Sequence, residues 1–239
     1  MKNLITKTTL LSFILLAMYS CETGPCIHGN DDIVTNTRNI GYFDGVKTMG
    51  NFNVRCINDS TFDLELTGES NILPYISTEI YNDELQVKDF PNTCLKENYT
   101  VTVKAFCPEL KSVTIAGSGN AEFDNYSGNT LDLNISGSGS MIGTLYYNKV
   151  YSTISGSGDM ELYGEVDYGD YEINGSGTVR ALNLQHKNVV VNISGSGDVF
   201  IHCTHSLTVN ISGSGNVYFV GYPQIYSDIS GSGSIINYN

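Results

Sequence analysis

Seven copies of the tripeptide Gly-Ser-Gly recur through the second half of the chain and constrain its fold more than any other feature. Each copy follows a β-type stretch that ends in Ile, and the first glycines of the copies are Gly117, Gly137, Gly156, Gly175, Gly195, Gly213 and Gly231. The spacing stays within about 18–20 residues throughout, and a fixed repeat of this length is typical of a solenoid, in which each repeat packs against its neighbours.

Aligning the copies on their glycines separates an inward from an outward set of side chains. Strand side chains alternate between faces, so the Ile before each Gly-Ser-Gly and the second residue after each Gly-Ser-Gly point to the same interior. The Ile column is Ile115, Ile135, Ile154, Ile173, Ile193, Ile211 and Ile229, and the second column is Ala121, Met141, Met160, Val179, Val199, Val217 and Ile235. Glycine adopts positive φ without steric cost, so Gly-Ser-Gly marks a corner.

This period predicts an all-β fold, a right-handed parallel β-helix with about 18–20 residues per coil. We expect three short strands and three corners per coil, and no helix after position 20. Upstream, the segments 72–80 and 84–88 flank Asn82-Asp83 and are interpreted as a hairpin. An antiparallel N-terminal cap would cover the edge of the first coil. The predicted domain is 33–239, with irregular coils and the cap at 33–112 and the seven repeats at 113–239.

The chain resembles the putative auto-transporter adhesin, head GIN domain family, in its repeats and in several upstream segments. These segments are Thr37-Arg-Asn-Ile-Gly-Tyr-Phe-Asp-Gly-Val46, Gly50-Asn-Phe-Asn-Val54, Leu73-Pro-Tyr-Ile76 and Leu85-Gln-Val87. The likeness extends from about residue 33 to the C-terminus. It implies a right-handed β-helix and an adhesion role, and it brings no catalytic residues.

The segment 1–20 has the composition of a secretory signal peptide. Lys2 and Lys7 precede an apolar run at 10–19, which is too short for a stable membrane span. The sequence before Cys21 resembles a bacterial lipobox, which predicts cleavage after Ser20 and lipidation of Cys21. Cleavage by ordinary signal peptidase is the alternative. Residues 21–32 would then form a flexible tether, and the protein would be anchored by lipid to the outer membrane, on its periplasmic face or at the cell surface.

The net charge of the chain restricts the kinds of partner that it can bind. The full chain carries a net charge of −13, and removal of residues 1–20 takes away two lysines and no acid, which leaves −15. An acidic protein gains nothing from a polyanion, so nucleic acid is not expected as a partner. Acyl chains rather than basic residues would hold it at the membrane.

Five cysteines remain besides Cys21, and an odd number leaves at least one unpaired within a monomer. Cys56 and Cys107 each end a strand on its apolar face. If those strands lie parallel, this pair is the best candidate for a disulfide. Buried free thiols, which behave as small apolar residues, are the alternative.

Catalytic and metal sites are weakly supported by the sequence. Asp159 and Asp198 each follow a Gly-Ser-Gly copy, but the equivalent positions elsewhere lack Asp, unlike the repeats of calcium-binding β-rolls. Two coils would separate these carboxylates by about 9–10 Å, with Thr178 between them and no basic cluster nearby. His202, Cys203 and His205 could bind a metal through two imidazoles and a thiolate, but no further ligand lies nearby in the sequence, so a polar loop is expected. We therefore expect no enzyme activity, no cofactor and no metal.

The outward columns point to binding. Hydroxyl and amide side chains flank the Ile column, where they serve either to bind glycans or simply to keep a β-helix soluble. After the corner, however, the outward column reaches Phe200, Tyr218 and Ile236, which predicts an exposed apolar contact surface. The favoured function is a non-enzymatic envelope lipoprotein and adhesin that binds a glycan or protein, with self-association through the C-terminal end. A structural or assembly lipoprotein is the alternative, and a polysaccharide-active enzyme ranks third.

Overall fold

The computed structural model describes residues 25–239. These residues form eighteen β-strands, joined by loops and a single 3₁₀ turn at Leu73–Tyr75. The first nine strands are β1 Ile27–His28, β2 Ile33–Asn39, β3 Gly45–Gly50, β4 Phe52–Asn58, β5 Asp63–Glu69, β6 Ile76–Tyr81, β7 Glu84–Asp89, β8 Leu95–Lys96 and β9 Val101–Cys107. The others are β10 Ser112–Gly117, β11 Asn120–Gly137, β12 Ser140–Gly156, β13 Asp159–Gly175, β14 Thr178–Gly195, β15 Asp198–Gly213, β16 Asn216–Val220, β17 Gln224–Gly231 and β18 Ser234–Asn237.

The repeats form a parallel β-helix, which confirms the predicted fold. Each of β11 to β15 is one coil, and it pairs in parallel with the next coil so that the Ile column and the Gly-Ser-Gly copies lie in register. The coils differ from the expected three short strands. One bent strand of 16–18 residues runs from each Gly-Ser-Gly turn to the next, because parallel hydrogen bonding to the neighbouring coils continues around the bends.

The glycine ladder explains why the turn sequence repeats so strictly. Gly195 has φ +137°, and a Cβ built on it would lie 2.2 Å from the carbonyl oxygen of Gly175 in the preceding coil. The next residue, Ser196, donates its backbone N–H to that same oxygen at 2.8 Å. A side chain at this position would therefore meet both backbone strain and a steric clash.

The interior is filled by the predicted columns. Every member of the Ile column except Ile229, in the last coil, is buried, as is every member of the second column except Ile235. Tyrosines enter the interior as well, since Tyr126, Tyr147 and Tyr171 are buried and their hydroxyls are hydrogen-bonded. A buried hydroxyl without a partner would be costly, so these bonds are needed for the rings to be accommodated.

The N-terminal half closes the first coil as expected. β6 and β7 form an antiparallel hairpin, and Asn82 and Asp83 both have positive φ at its turn, as a type I′ turn requires. β7 pairs in parallel with β3, and β3 pairs with β10 at the start of the repeats. β5 adds antiparallel pairing with β2 and β9.

Residues 25–32 differ from the tether expected over 21–32. β1 pairs in parallel with β8, and Cys26 forms a disulfide with Cys94, with 4.5 Å between the Cα atoms. The carboxylate of Glu69 lies beneath this segment and accepts hydrogen bonds from the backbone N–H groups of Asp31 and Asn98. The segment is thus fastened to the domain. The predicted signal peptide, Cys21 and the first residues of the tether lie outside the described residues.

The predicted Cys56–Cys107 disulfide is wrong. β4 and β9 do lie parallel, but Cys56 faces Ala105 while Cys107 faces Asn58, so the two thiols are offset by two residues. Both are buried free thiols, as is Cys203. Burial raises the pKa of the Cys107 thiol to about 11 and that of Cys56 well above its usual value, which keeps both protonated and unreactive.

Candidate functional site

The predicted contact column lies on the outer face of the last three coils. Phe200 on β15, Tyr218 on β16 and Ile236 on β18 are direct neighbours across the parallel strands. The rings of Phe200 and Tyr218 stack with their centroids 4.5 Å apart and an angle of 6° between their planes. Strand spacing alone produces this stack, because equivalent positions in neighbouring coils lie about 4.8 Å apart.

The last residues cover part of this column, contrary to expectation. Tyr238 packs its edge against both rings, with centroids 6.4 Å from Phe200 and 6.1 Å from Tyr218. Its backbone N–H donates to Phe219, and the side chain of Asn239 exchanges two hydrogen bonds with the backbone of Gly221. So short a tail suffices because one large ring spans two coils. Phe200, Tyr218 and Ile236 are consequently half-buried, and Tyr238, 56% exposed, becomes the outermost ring.

A groove of about 290 Å³ opens on the side of Phe200 that faces away from Tyr218. It is lined by Glu161, Leu162, Tyr163, Arg180, Leu182, Asn183, Phe200 and Tyr238. A bulge in β14 shapes it, since the pairing with β15 moves from Ala181–Ile201 directly to Gln185–His202 and leaves residues 182–184 without partners in β15. A second irregularity separates Glu161 from Tyr163 on β13. Bulges of this kind redirect side chains, here toward the groove.

Polar groups at the groove are mostly paired with one another. Arg180 lies 3.3 Å from Asp159 in an exposed ion pair, and the Tyr163 hydroxyl donates to Glu161. The bond to Glu161 is the main reason that the pKa of Tyr163 is raised. The amide of Asn183 is exposed on the bulge. The site thus combines aromatic rings with a carboxylate, a guanidinium and an amide, and it contains no arranged nucleophile and base.

Comparison with known proteins identifies the family of the chain and shows that solved structures share its fold. The model of the putative auto-transporter adhesin, head GIN domain family matches residues 42–223, more than half of the chain. The chain belongs to this family. No curated protein matches it.

Solved structures share the architecture of this head GIN domain. A putative adhesin from Bacteroides fragilis superimposes with a TM-score of 0.81 at 22% identity, covering 88% of this chain and 99% of that one. A putative adhesin from Parabacteroides merdae gives 0.68 at 24% identity, covering 90% and 100%. A protein from Parabacteroides distasonis described as a putative lipid binding protein gives 0.72 at 25% identity, covering 89% and 99%.

The other candidate residues of the head GIN domain do not assemble a catalytic or metal site. Asp159 and Asp198 face Thr178 from opposite sides, Asp159 pairs with Arg180, and Asp198 accepts hydrogen bonds from Asn216. Cys203 is buried, whereas the neighbouring His205 is exposed. Within residues 25–239, three or more His, Cys, Asp or Glu side chains nowhere come together in a metal-binding arrangement. No helix in that part of the chain is long and apolar enough to cross a membrane.

Sequence reasoning missed the groove and most of its lining residues. Leu182, Asn183 and Tyr238 each look unremarkable in the sequence, and Tyr163 is one of several tyrosines near corners. The one signal was an uneven repeat, because the interval from Gly175 to Gly195 is longer than the two intervals that follow it. The additional residues of this coil are the ones that bulge at the groove.

Proposed function

We propose that this head GIN domain protein is a non-enzymatic binding protein of the cell envelope that presents the outer face of its last coils to a glycan or protein partner. The observation that carries the proposal is the stack of Phe200, Tyr218 and Ile236 with Tyr238 beside a groove. Much of the neighbouring outer surface consists of hydroxyl and amide side chains. Large rigid rings contribute contact area at low entropic cost, so they are effective binding groups.

Membership of the adhesin family supports an envelope or extracellular location and a non-catalytic role. The lipid anchor is a proposal from the sequence alone. A lipidated Cys21 would attach the N-terminus to the outer membrane. Because β1 follows Cys21 by only a few residues, the domain would then sit close to the membrane rather than on a long tether.

The proposal is tested in cells that express the protein. Intact cells are treated with a protease and the protein is followed by immunoblot, with lysed cells as the control for protease sensitivity. We expect the wild type to be degraded on intact cells and the Cys21→Ser variant to leave the membrane fraction. Protection on intact cells would contradict surface display, and unchanged membrane association of Cys21→Ser would contradict the anchor.

A second candidate function is self-association through the last coil. Its inward positions Ile225 and Ile229 are 42% and 38% exposed, whereas the equivalent residues Leu207 and Ile211 of the preceding coil are buried. Exposed apolar residues beside an unpaired strand edge favour pairing with another chain. Analytical ultracentrifugation of the wild type and an Ile225→Lys/Ile229→Lys variant tests this candidate, since dimerisation should occur only in the wild type.

A further inference from the structure

We propose that the groove between the β14 bulge and Phe200 is a subsite for one uncharged pyranose ring of a glycan. The inference rests on the proposed binding function and specifies its ligand class. Four features of the groove support it: a free aromatic face, polar groups at its rim, its charge and its size.

The free aromatic face belongs to Phe200. One face of its ring is covered by Tyr218, and Tyr238 contacts it edge-on. The neighbour on the other side is Arg180, but its guanidinium pairs with Asp159, one coil further back. The second ring face therefore borders the groove. A flat apolar ring face matches the face of a pyranose on which axial C–H groups lie, and stacking the two excludes water from both.

Polar groups surround this ring face at the rim. Glu161 offers carboxylate oxygens, Asn183 an amide, and Tyr163 and Tyr238 hydroxyls. Sugar hydroxyls both donate and accept hydrogen bonds, so a rim that mixes acceptors and donors suits them. A few polar groups around an apolar floor, here Leu162 and Leu182, are the usual composition of a small-ligand site.

The charge of the groove selects for a neutral ligand. Glu161 and Arg180 are the charged residues that line it, and Asp159 completes the ion pair with Arg180. Together these three groups carry a net charge of −1, within a protein of net charge −13. A uronic or sialic acid would meet repulsion here and would have to displace Asp159 from Arg180. A neutral hexose has neither cost.

The size of the groove fits a single sugar unit. Its volume of about 290 Å³ lies at the small end of the range for ligand sites, enough for one ring and its substituents.

The test is a calorimetric titration of the purified protein with methyl β-D-glucopyranoside, methyl β-D-galactopyranoside and methyl α-D-mannopyranoside, and with D-glucuronate as the charged comparison. We expect at least one neutral glycoside to bind and glucuronate to bind at least tenfold more weakly. Phe200→Ala should lower the affinity about tenfold or more, because the stacking surface is lost. Tyr222→Ala is the matched control, since Tyr222 is an exposed aromatic outside the groove.

A second variant separates binding from folding. Asn183 is exposed on the bulge, so Asn183→Ala should keep the wild-type melting temperature while weakening glycoside binding several-fold. If none of the three glycosides binds, or if a bound glycoside is indifferent to both Phe200→Ala and Asn183→Ala, the subsite is overturned. Degradation of the protein by protease on intact cells does not depend on glycoside binding, so failure of the subsite is distinguishable from failure of the proposed function.

Discussion

At the scale of single residues, the glycines of the turns carry a steric requirement that no other residue meets. We expect Gly195→Ala to destabilise the protein by about 3 kcal/mol or more, because φ +137° is strained for alanine and the new Cβ would lie 2.2 Å from a carbonyl oxygen. Ser196→Ala is the control, since that side chain is exposed and should change stability by less than about 0.5 kcal/mol. Urea unfolding measures both. Equal effects would show that the turn tolerates a side chain.

His186 is a second residue with a defined energetic role. It is 0% exposed, its Nε2 lies 2.6 Å from the Tyr171 hydroxyl, and its Nδ1 lies 3.0 Å from the carbonyl oxygen of His202. The carbonyl can only accept, so Nδ1 carries the proton and Nε2 accepts from Tyr171. Burial lowers the pKa of His186 to about 4, because the charged form would lose its hydration.

This lowered pKa predicts an acid-sensitive stability. The unfolded chain takes up a proton at its ordinary pKa of 6.5, above the folded value of about 4, so stability from this group is complete above pH 6.5 and is lost as pH falls to 4. The loss amounts to about 3 kcal/mol. Urea unfolding at pH 7 and pH 4.5 should show a smaller loss for His186→Met than for the wild type. His205→Gln, at an exposed position, should behave as the wild type; equal losses in all three would refute the role of His186.

At the scale of elements, the sequence predicts which face of a strand each side chain occupies, because side chains alternate along a strand. It does not predict contacts that depend on the register between two strands. Local rules predict that Ile193 points inward and Asn192 outward, and they predict the hairpin around Asn82 and Asp83. The structure confirms both predictions. The pairing of cysteines depends on how far one strand slides along its neighbour. The interpretation of Cys56 and Cys107 is correct in strand direction and wrong by two residues of register.

The N-terminal segment, residues 25–32, is a second case in which contacts with residues distant in the sequence determine the structure. Residues 25–32 show little strand pattern, which favours a tether. Their order comes from distant groups, namely Cys94 and Glu69. Burial alone would raise the pKa of Glu69, but hydrogen bonds from the backbone of Asp31, Asn98 and Tyr99 outweigh it and lower that pKa. Nothing near residues 25–32 in the sequence identifies these partners.

At the scale of the whole molecule, the protein is a one-dimensional stack. Each inner coil pairs with the coil before and the coil after it, and the core is continuous along the axis. The period could therefore be predicted from the sequence with the inward columns. The groove could not be predicted, because it arises where one coil departs from the period. The effect of this departure on the surface depends on how the neighbouring coils pack beside it.

The stack predicts that a whole coil can be added. The segment 198–215 and the following coil, 216–233, are equal in length and pair without a register shift from 198 to 202. Inserting a second copy of 198–215 after Gly215 creates one new interface, in which Val199, Ile201 and Ile211 stack on their own copies. The original neighbours on both sides are retained. Because stability in such arrays is a sum of repeat and nearest-neighbour contributions, we expect a folded protein with an unchanged or higher urea midpoint and a larger m-value.

The control for this insertion differs from it by one residue. Inserting only 199–215 omits Asp198 and shifts the new strand by one position, which turns its inward side chains outward. This variant should lose the cooperative unfolding transition or aggregate, whereas the insertion of the whole coil should keep the far-UV circular dichroism of a β-protein. If both insertions behave alike, register between coils does not determine stability, and the stack would not be the principle that holds the molecule together.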